Sequence, residues 1–365
     1  MTKNGILYMI FFVTLLGLVV ICEKNAFAQV TNNSNSYNIQ QQTSDYLEIT
    51  SNSEGHKQVL RLPVDQLLFN VTPIFDQSGA LQSLSMSLKP SLADLYNDIG
   101  LANKPKDIVF VYPSFTQAAY EKNGFYDYYN KKCDIKCLTV PIPTKVDGFQ
   151  SSSIAGAWAL KLLHYPYVKD EDIDKNPGIL KQYKRVIVLH NEYVTKKEFD
   201  AITSHPDVMF LYPNALYAEV KANYTSNTIS LVQGHGYPDT SIKNGFGWKY
   251  DNSGYEYDVE CNTWNFYKKD NYTMLDCYPE YRMLYSTELL RALQLEDPEQ
   301  IIVHLTDWIN HPNSDPSVLL SDYGIKGTHM PTWIVHPATW AINGDITKSQ
   351  FARMLEYLHE KNIIR

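Results

Sequence analysis

Short apolar runs alternate with helical stretches between residues 101 and 295, and this alternation constrains the fold more than any other feature. The runs lie at 108–112, 138–142, 186–190, 208–212 and 229–232. Strands that are apolar throughout and separated by helices are typical of a parallel sheet covered on both faces. The sequence therefore predicts a three-layer α/β domain with a mostly parallel sheet over residues 101–295.

The helices between these runs have recognisable starts and faces. Residues 154–164 place Ala155, Ala159 and Leu162 on one helical face. Thr195 and Glu198 have the spacing of a capping box, which predicts a helix beginning there. Residues 233–281 are instead rich in Tyr, Trp, Asn and Gly, and we expect a long irregular excursion.

The segments before the α/β domain have other patterns. Residues 29–45 are rich in Asn, Ser and Gln and contain little to bury, so we expect a disordered spacer. Residues 46–100 alternate apolar and polar positions, with a turn at 76–79. Such alternation predicts a small β-rich region made of antiparallel strands.

Helical spacing dominates the end of the chain. Asp297 followed by Pro298 is typical of a helix start. A final helix, beginning near Thr347, carries an apolar stripe made of Phe351, Met354, Leu355 and Leu358. Residues 296–365 are therefore predicted to form a helical cap, and this stripe should pack on the α/β domain.

The N-terminus has the order of a signal peptide. Lys3 precedes a mostly apolar run at 6–22, and Ala26-Phe27-Ala28 provides small residues for cleavage. An uncleaved membrane anchor is the alternative. Residues 1–28 therefore predict export to the cell surface or medium, with no transmembrane segment in the mature chain. The net charge of −8 argues against a nucleic-acid partner.

The cysteine count fits an exported chain. Cys22 lies in the signal peptide, which leaves four cysteines, and an even number in an exported protein suggests disulfides. Proximity favours Cys133 with Cys137 and Cys261 with Cys277. The alternative is a four-cysteine zinc site, but the second pair is spaced too widely for it. Four tripeptides match the acceptor sequence for N-glycans, at Asn32, Asn70, Asn223 and Asn271.

Polar residues follow several predicted strands, and ligands of parallel α/β sheets collect at that edge. Candidates for acid–base chemistry are His190, Glu192 and His235. Each also has a structural interpretation: a hydrogen-bonded histidine, the start of a turn, or a tight glycine-flanked turn in the case of His235. The three candidates nevertheless follow strands whose carboxyl ends are predicted to lie at the same edge of the sheet.

Three segments resemble a known family. They are RVIVLHNEYVTKKEFDAI at 185–202, LYPNALYAEV from Leu211 and TISLVQGHGYP from Thr228. They are similar to the glutamine-amidotransferase-like C-terminal domain of N,N-dimethylformamidase large subunits, in the version found in exported proteins of ammonia-oxidising archaea. The resemblance covers roughly residues 107–285 and implies a class I amidotransferase-like or flavodoxin-like fold.

The resemblance also implies a chemistry. Class I amidotransferases use a cysteine on a strand-to-helix elbow, but the matching turn at 212–216 has neither Cys nor Ser, so glutaminase activity is not expected. Formamidases of the resembled type hold a mononuclear iron through tyrosinate and glutamate. The matching tyrosine is Tyr193, and strand-end position suggests Tyr112 and Glu219 as further ligands of one iron or zinc ion.

Two functions remain open at this stage. One is a metal-dependent hydrolase that cleaves the C–N bond of a small amide substrate. The other is a catalytically silent module that binds a cell-surface ligand, such as a partner or a glycan, through an aromatic rim. Because the sequence does not show a complete set of catalytic residues, it favours the binding module, with the hydrolase as the alternative.

Overall fold

The computed structural model describes residues 28–29, 35–41, 46–53, 56–63, 66–75, 81–121, 123–144, 153–256, 264, 266–295, 300–343, 345–346 and 348–365. Several sequence predictions lie outside these residues. They are most of the signal peptide, the 76–79 turn, the sequon at Asn32, Cys261, the Asp297-Pro298 helix start and Thr347. Among the described helices, none combines the length and apolar character needed to cross a bilayer.

The N-terminal strands form antiparallel ladders. The strands are β1 (Ala28–Gln29), β2 (Asn35–Gln41), β3 (Tyr46–Ser53), β4 (His56–Pro63), β5 (Phe69–Phe75) and β6 (Leu81–Leu88). Strands β1 to β4 pair in sequence order, while β5 and β6 form a separate hairpin. The antiparallel strands predicted from Tyr46 are therefore present. Residues 35–41, part of the segment predicted to be a disordered spacer, form β2 instead, which pairs with β3 along its whole length.

The central part contains ten strands and seven α-helices within the described residues. The strands are β7 (Ile108–Tyr112), β8 (Thr139–Pro141), β9 (Tyr167–Lys169), β10 (Arg185–Val188), β11 (Tyr193–Val194), β12 (Val208–Phe210), β13 (Ala218–Asn223), β14 (Thr228–Gln233), β15 (Phe266–Lys269) and β16 (Tyr272–Leu275). The helices are α1 (Ala93–Ile99), α2 (Ser114–Tyr120), α3 (Phe125–Tyr129), α4 (Ile154–Leu162), α5 (Asp170–Lys175), α6 (Lys196–Thr203) and α7 (Thr287–Ala292). The predicted α/β class is confirmed.

The main sheet is mostly parallel and has the order β15-β16-β12-β10-β7-β9. Strand β10 pairs in parallel with β7 on one side and β12 on the other. The apolar runs at 108–112, 186–190 and 208–212 thus form the predicted parallel core. Strand β16 also runs parallel to β12, although it lies in the stretch predicted to be irregular.

Helices cover both faces of this sheet. Alternate residues of β10 point to opposite sides, so that Ile187 packs with α4 and α7, while Val186 and Val188 pack with α5 and α6. Both faces are fully buried, which explains why these strands are apolar at every position. The carboxyl edge of the sheet is the place where these strands lead into loops.

A second, four-stranded sheet has the order β11-β13-β14-β8 and carries two of the runs assigned to the parallel sheet. The runs at 138–142 and 229–232 are corrected, because β14 is antiparallel to both β13 and β8. Along β14 the buried residues Ile229 and Leu231 alternate with more exposed ones. This alternation is that of a sheet with one covered face, and α2 and α3 provide the cover.

The C-terminal residues are helical, as predicted. The helices are α8 (Gln300–Asn310), α9 (Ser317–Asp322), α10 (Val335–Asn343) and α11 (Lys348–Glu360). The stripe residues Phe351 and Leu355 are fully buried in their own cluster. Arg291 of α7 joins this cluster to the rest by ion pairs to Glu356 (3.0 Å) and to Asp98 (2.6 Å). The last helix is therefore packed, but its stripe lies among the other C-terminal helices instead of on the α/β domain, so that part of the prediction is corrected.

The predicted local disulfide is present, since Cys133 and Cys137 are bonded to each other. Cys277 is also disulfide-bonded. Its predicted partner, Cys261, lies outside the described residues. The Cys133–Cys137 bridge closes the loop between α3 and β8, next to the site described below.

Candidate functional site

The segment that follows β10 is held rigidly at the carboxyl edge of the main sheet. The backbone N–H of His190 donates to the Oγ of Ser153 (3.0 Å), and that of Tyr193 donates to the Oγ1 of Thr116 (3.1 Å). The carbonyl oxygen of Glu192 accepts from the N–H groups of Tyr217 and Ala218, both at 2.9 Å. The side chains of this segment therefore have fixed positions relative to the second sheet.

Glu192 is the centre of a polar cluster. Its carboxylate is fully buried, and the Nε2 of His235 lies 2.5 Å from Oε1. The hydroxyl of Tyr120 donates to Oε2 at 2.8 Å. The hydroxyl of Tyr126 lies 3.2 Å from Oε2 and 2.8 Å from the hydroxyl of Tyr120. Two phenols, one imidazole and one carboxylate thus meet at one point.

His235 reaches this cluster from a tight turn between β14 and the following loop. Gly234, His235 and Gly236 all have positive φ, at 116°, 56° and 78°. A Cβ at Gly234 would lie 2.8 Å from the Cα of Ala218, so only glycine fits there. A histidine held in the left-handed region is uncommon, and such backbone strain concentrates at functional sites.

Glu192 and His235 stabilise each other's charged forms. Burial alone would raise the pKa of Glu192, but the charge and hydrogen bond of His235 hold that pKa below its usual value. Burial alone would lower the pKa of His235, but the charge and hydrogen bond of Glu192 outweigh it and raise the pKa. Each group of the pair therefore favours the charged form of the other.

His190 lies on the other side of the carboxylate and is neutral. Burial lowers the pKa of His190 to about 4, against the opposing charge of Glu192. Its Nδ1 lies 3.4 Å from the hydroxyl of Tyr278. Its Nε2 is buried, has no hydrogen-bond partner within the described part of the chain, and lies 3.9 Å from Oε2 of Glu192. This nitrogen is available to a further group at the cluster.

Aromatic rings enclose His235. The ring of Tyr129 stacks on it with centroids 4.8 Å apart, and the ring of Tyr193 is nearly parallel to it at 6.2 Å. The hydroxyl of Tyr193, a predicted metal ligand, lies 3.4 Å from the hydroxyl of Tyr129. Tyr193 is thus beside the cluster, where it packs against the imidazole.

His235 also faces a cleft of about 650 Å³, and its side chain remains 19% exposed. The cleft is lined by Tyr128, Tyr129, Lys131, Lys132, Cys133, Asp134 and His235. Nε2 is bonded to Glu192, so Nδ1 is the ring nitrogen left for a further hydrogen bond. Among the described residues, Nδ1 has no hydrogen-bond partner.

Two predicted ligands lie elsewhere, and their assignment is corrected. Glu219 accepts a hydrogen bond from Gln233 (3.0 Å) on the neighbouring strand, because β13 turns its side chain toward β14. Tyr112 donates to Gln117 (2.8 Å) and packs against the ring of Tyr167. Position at a strand end does not suffice to bring a side chain to the cluster.

Sequence reasoning did not single out Tyr120, Tyr126 and Tyr129. They lie on α2 and α3, which pack against the second sheet and so approach Glu192. The dense run FYDYY at 125–129 was the available signal. In a chain with 27 tyrosines that signal does not distinguish site residues from packing residues.

A second polar cluster lies under the same edge. Asp170, at the start of α5, accepts from the N–H of Phe115 (2.7 Å) and the side-chain amide of Asn191 (2.7 Å). Thr195 caps α6 as predicted. Glu198 is fully buried beside Asp170.

Burial raises the pKa of both carboxyls, and a neighbouring carboxylate adds to the rise, Glu171 for Asp170 and Asp170 for Glu198. The pKa of Asp170 rises to about 7, and that of Glu198 rises well above its usual value. In the described structure, neither carboxyl oxygen of Glu198 has a hydrogen-bond donor unless one of the two acids is protonated. Both shifts favour the protonated form of the acids.

Groups of three or more His, Cys, Asp or Glu side chains with the geometry of a metal site do not occur within the described residues. The cluster around Glu192 differs from such groups, because phenol oxygens provide two of its donors. No family model matches the chain, and no curated protein matches it.

Proposed function

We propose that this chain is a metal-dependent hydrolase of amide C–N bonds, and that Tyr120, Tyr126 and Glu192 hold its metal ion. The observation that carries the proposal is the convergence of two phenol oxygens and one carboxylate at a single point. The resemblance to N,N-dimethylformamidase large subunits supports it, since those enzymes hold iron through tyrosinate and glutamate.

The spacing of the three oxygens fits an ion. The Tyr120 hydroxyl lies 2.8 Å from the carboxylate and 2.8 Å from the Tyr126 hydroxyl, which is 3.2 Å from the carboxylate. Neighbouring oxygens around an octahedral ion, at about 2.0–2.1 Å from the metal, are about 2.8–3.0 Å apart. The unpartnered Nε2 of His190 leaves a polar position beside them. Hard oxygen donors favour iron over zinc, which prefers nitrogen and sulfur.

Ion binding would require the loss of two phenol protons. Burial, followed by the charge of Glu192, raises the pKa of Tyr120 and of Tyr126 well above the usual value. Without a cation, both phenols are therefore hydrogen-bond donors to the carboxylate. Metal affinity should rise with pH, because ligands that must be deprotonated couple binding to proton release.

The residues around the ion can assist amide hydrolysis. When bound, the ion polarises the amide carbonyl and lowers the pKa of a bound water. Hydrolysis adds the water oxygen to the carbonyl carbon, breaks the C–N bond and places a proton on the leaving nitrogen. His235 is positioned for that last role, because its Nε2 is held by Glu192 and its Nδ1 can donate into the cleft.

The fold belongs to the same proposal. We assign a three-layer, amidotransferase-like arrangement, which the helices on both faces of the parallel sheet support. Asn214, with φ of 63°, stands in the turn after β12, where a class I amidotransferase would carry its cysteine. An amide side chain is no nucleophile, so the proposed chemistry relies on activated water.

Export is also part of the proposal. The signal-like N-terminus motivates it, and the Cys133–Cys137 disulfide supports it, because disulfides persist in oxidising compartments. We expect the mature chain to act at the cell surface or in the medium. Intact-mass measurement of the secreted protein, beginning at Gln29, is the direct check of the cleavage site.

The alternative is a catalytically silent binding module. The observation that favours it is that Glu192 already accepts hydrogen bonds from Tyr120, Tyr126 and His235, so the cluster is stable without an ion. The aromatic cleft would then bind a glycan or a protein partner at the cell surface. The two functions differ in whether the cluster takes up a metal.

Metal content separates them. Purified protein, stripped with a chelator and then given iron, should bind one iron per chain and gain a visible tyrosinate-to-iron absorption band. Tyr120→Phe and Tyr126→Phe remove one ligand oxygen each while keeping the ring, and both should lose iron and amide hydrolysis. Tyr357→Phe is the matched control, because Tyr357 is exposed on α11 and lines neither the cluster nor the cleft.

The proposal fails on either of two results. One is folded wild-type protein that takes up neither iron nor zinc as measured by elemental mass spectrometry. The other is Tyr126→Phe with unchanged metal content and activity. Either result would leave the binding module as the function that the site supports.

A further inference from the structure

Two of the charged side chains that line the cleft beside His235 are engaged within the protein. Lys132 already interacts within the chain. The carboxylate of Asp134 lies 3.7 Å from the ammonium of Lys136 and accepts from the backbone N–H of Lys136 at 2.9 Å. These two side chains are therefore poor candidates for binding a ligand, which leaves the aromatic part of the lining.

Tyr128 differs from the tyrosines around Glu192 in how its hydroxyl is used. The hydroxyls of Tyr120 and Tyr126 bond to the carboxylate, and that of Tyr129 lies 3.4 Å from a further phenol. The hydroxyl of Tyr128 has no hydrogen-bond partner within the part of the chain that the structure describes. Tyr128 is half-buried and lines the cleft, so its ring is available to a ligand without loss of a bond that holds the cluster.

The Tyr128 ring also keeps a position for parallel stacking. Its contacts with the rings of Tyr129 and Tyr237 are close to perpendicular, at 68° and 89°, with centroids 5.9 and 6.2 Å apart. Among the described residues, no ring stacks in parallel on it. Because aromatic rings attract one another in offset-stacked arrangements, a flat ligand ring can take this position.

The backbone around Tyr128 is held in place. Its carbonyl oxygen accepts from the N–H of Lys131 at 2.9 Å, and that of Asp127 accepts from the N–H of Cys133 at 3.2 Å. The Cys133–Cys137 disulfide closes the same loop. A ring on a held backbone can stack on a ligand with a small cost in lost conformational freedom.

The size and place of the cleft suit a small substrate. The volume of about 650 Å³ lies within the range of small-molecule sites, roughly 300–1,000 Å³. The ring of Tyr129 continues the aromatic wall from Tyr128 onto the imidazole of His235. His235 in turn bonds to Glu192, so a molecule on this wall lies against the proposed reaction centre.

We infer that this cleft selects amides that carry a flat aromatic ring over amides whose ring of the same size is aliphatic, and that Tyr128 determines the selection. The ring of the ligand stacks on Tyr128, and its amide faces His235. The inference rests on the proposed function for the identity of the reacting group. The selection between rings itself needs only the cleft.

Binding of two matched probes tests the selection. Benzamide and cyclohexanecarboxamide share a carboxamide and a six-membered ring, but only the ring of benzamide is flat and aromatic. Their dissociation constants can be measured by titration calorimetry or NMR on metal-free full-length protein. Stacking should favour benzamide by about 2- to 10-fold. Burial of apolar surface alone would instead favour the cyclohexyl ring, which has more hydrogen-bearing carbon surface.

Variants at one position assign the selection to Tyr128. Tyr128→Leu should abolish the preference, and Tyr128→Phe should keep it, because phenylalanine retains the ring. In the wild type, ring protons of bound benzamide should show nuclear Overhauser contacts to the Tyr128 ring, which locates the ligand without any substitution.

Tyr357→Leu is the matched control, because Tyr357 is exposed on α11 and does not line the cleft. It should leave the preference unchanged. Equal affinity for both probes, no binding of either, or a preference that survives in Tyr128→Leu overturns the inference. A preference for benzamide in a protein that binds no metal would overturn the proposed function alone. Equal affinity for the two probes in a protein that binds iron and hydrolyses amides would overturn this inference alone.

Discussion

The buried carboxyl pair of Asp170 and Glu198 makes the stability of this protein depend on pH in an unusual direction. Both groups have a raised pKa, so the folded state keeps protons that the unfolded state releases above its ordinary pKa values of 3.8 and 4.5. The stabilising contribution is complete below pH 4 and is lost as pH rises toward the folded pKa of about 7. Glu198→Gln isolates this effect, because glutamine keeps the shape and donates its own hydrogen to Asp170.

The magnitude follows from proton counting. Each proton held only by the folded state lowers the free energy of unfolding by about 1.4 kcal/mol per pH unit. The substitution removes the proton that the raised pKa of Glu198 retains in the folded state. Between about pH 5 and pH 7 the variant should therefore gain stability relative to the wild type, by at most about 3 kcal/mol for that proton. Groups that interact with neither Glu198 nor Asp170 contribute equally to both proteins and cancel in the difference.

Urea unfolding at several pH values measures this difference directly. Glu360→Gln, at an exposed position of the last helix, is the control and should give a difference that does not vary with pH. A constant difference between wild type and Glu198→Gln across this range would show that the pair holds no extra proton. The reasoning about the buried pair would then be wrong.

Two further predictions concern the core and the site. Phe351→Ala should lower the free energy of unfolding by about 3–5 kcal/mol, because its ring is fully buried. Tyr357→Ala on the same helix is 56% exposed and should change it by less than about 0.5 kcal/mol, and equal effects would contradict the packing of α11. Glu192→Gln should lower the pKa of His235 below that of the wild type, because burial then acts without the opposing charge. NMR titration of the imidazole measures this pKa, and an unchanged value would contradict the ion pair.

The sequence by itself determined the elements whose signals are local. Apolar runs located β7, β10 and β12, a threonine located the start of α6, and a 3.6-residue stripe located the buried face of α11. These signals work because burial on a strand or helix imposes a period on neighbouring residues. The apolar run of β10 also predicted that His190 and Glu192 lie at the end of a strand. Closeness in sequence predicted the disulfide between Cys133 and Cys137.

Only the tertiary structure decided which strands pair and which side chains meet. Strand β14 reads as a buried apolar run in sequence, yet it lies in a second, antiparallel sheet, because its register with β13 and β8 depends on distant segments. Tyr120 and Tyr126 reach Glu192 across 72 and 66 residues of chain, and His235 reaches it across 43. Glu198 meets Asp170, 28 positions earlier in the sequence, for the same reason. The spacing of apolar residues predicts whether a segment is a helix or a strand. Which elements lie next to each other depends instead on how their faces pack.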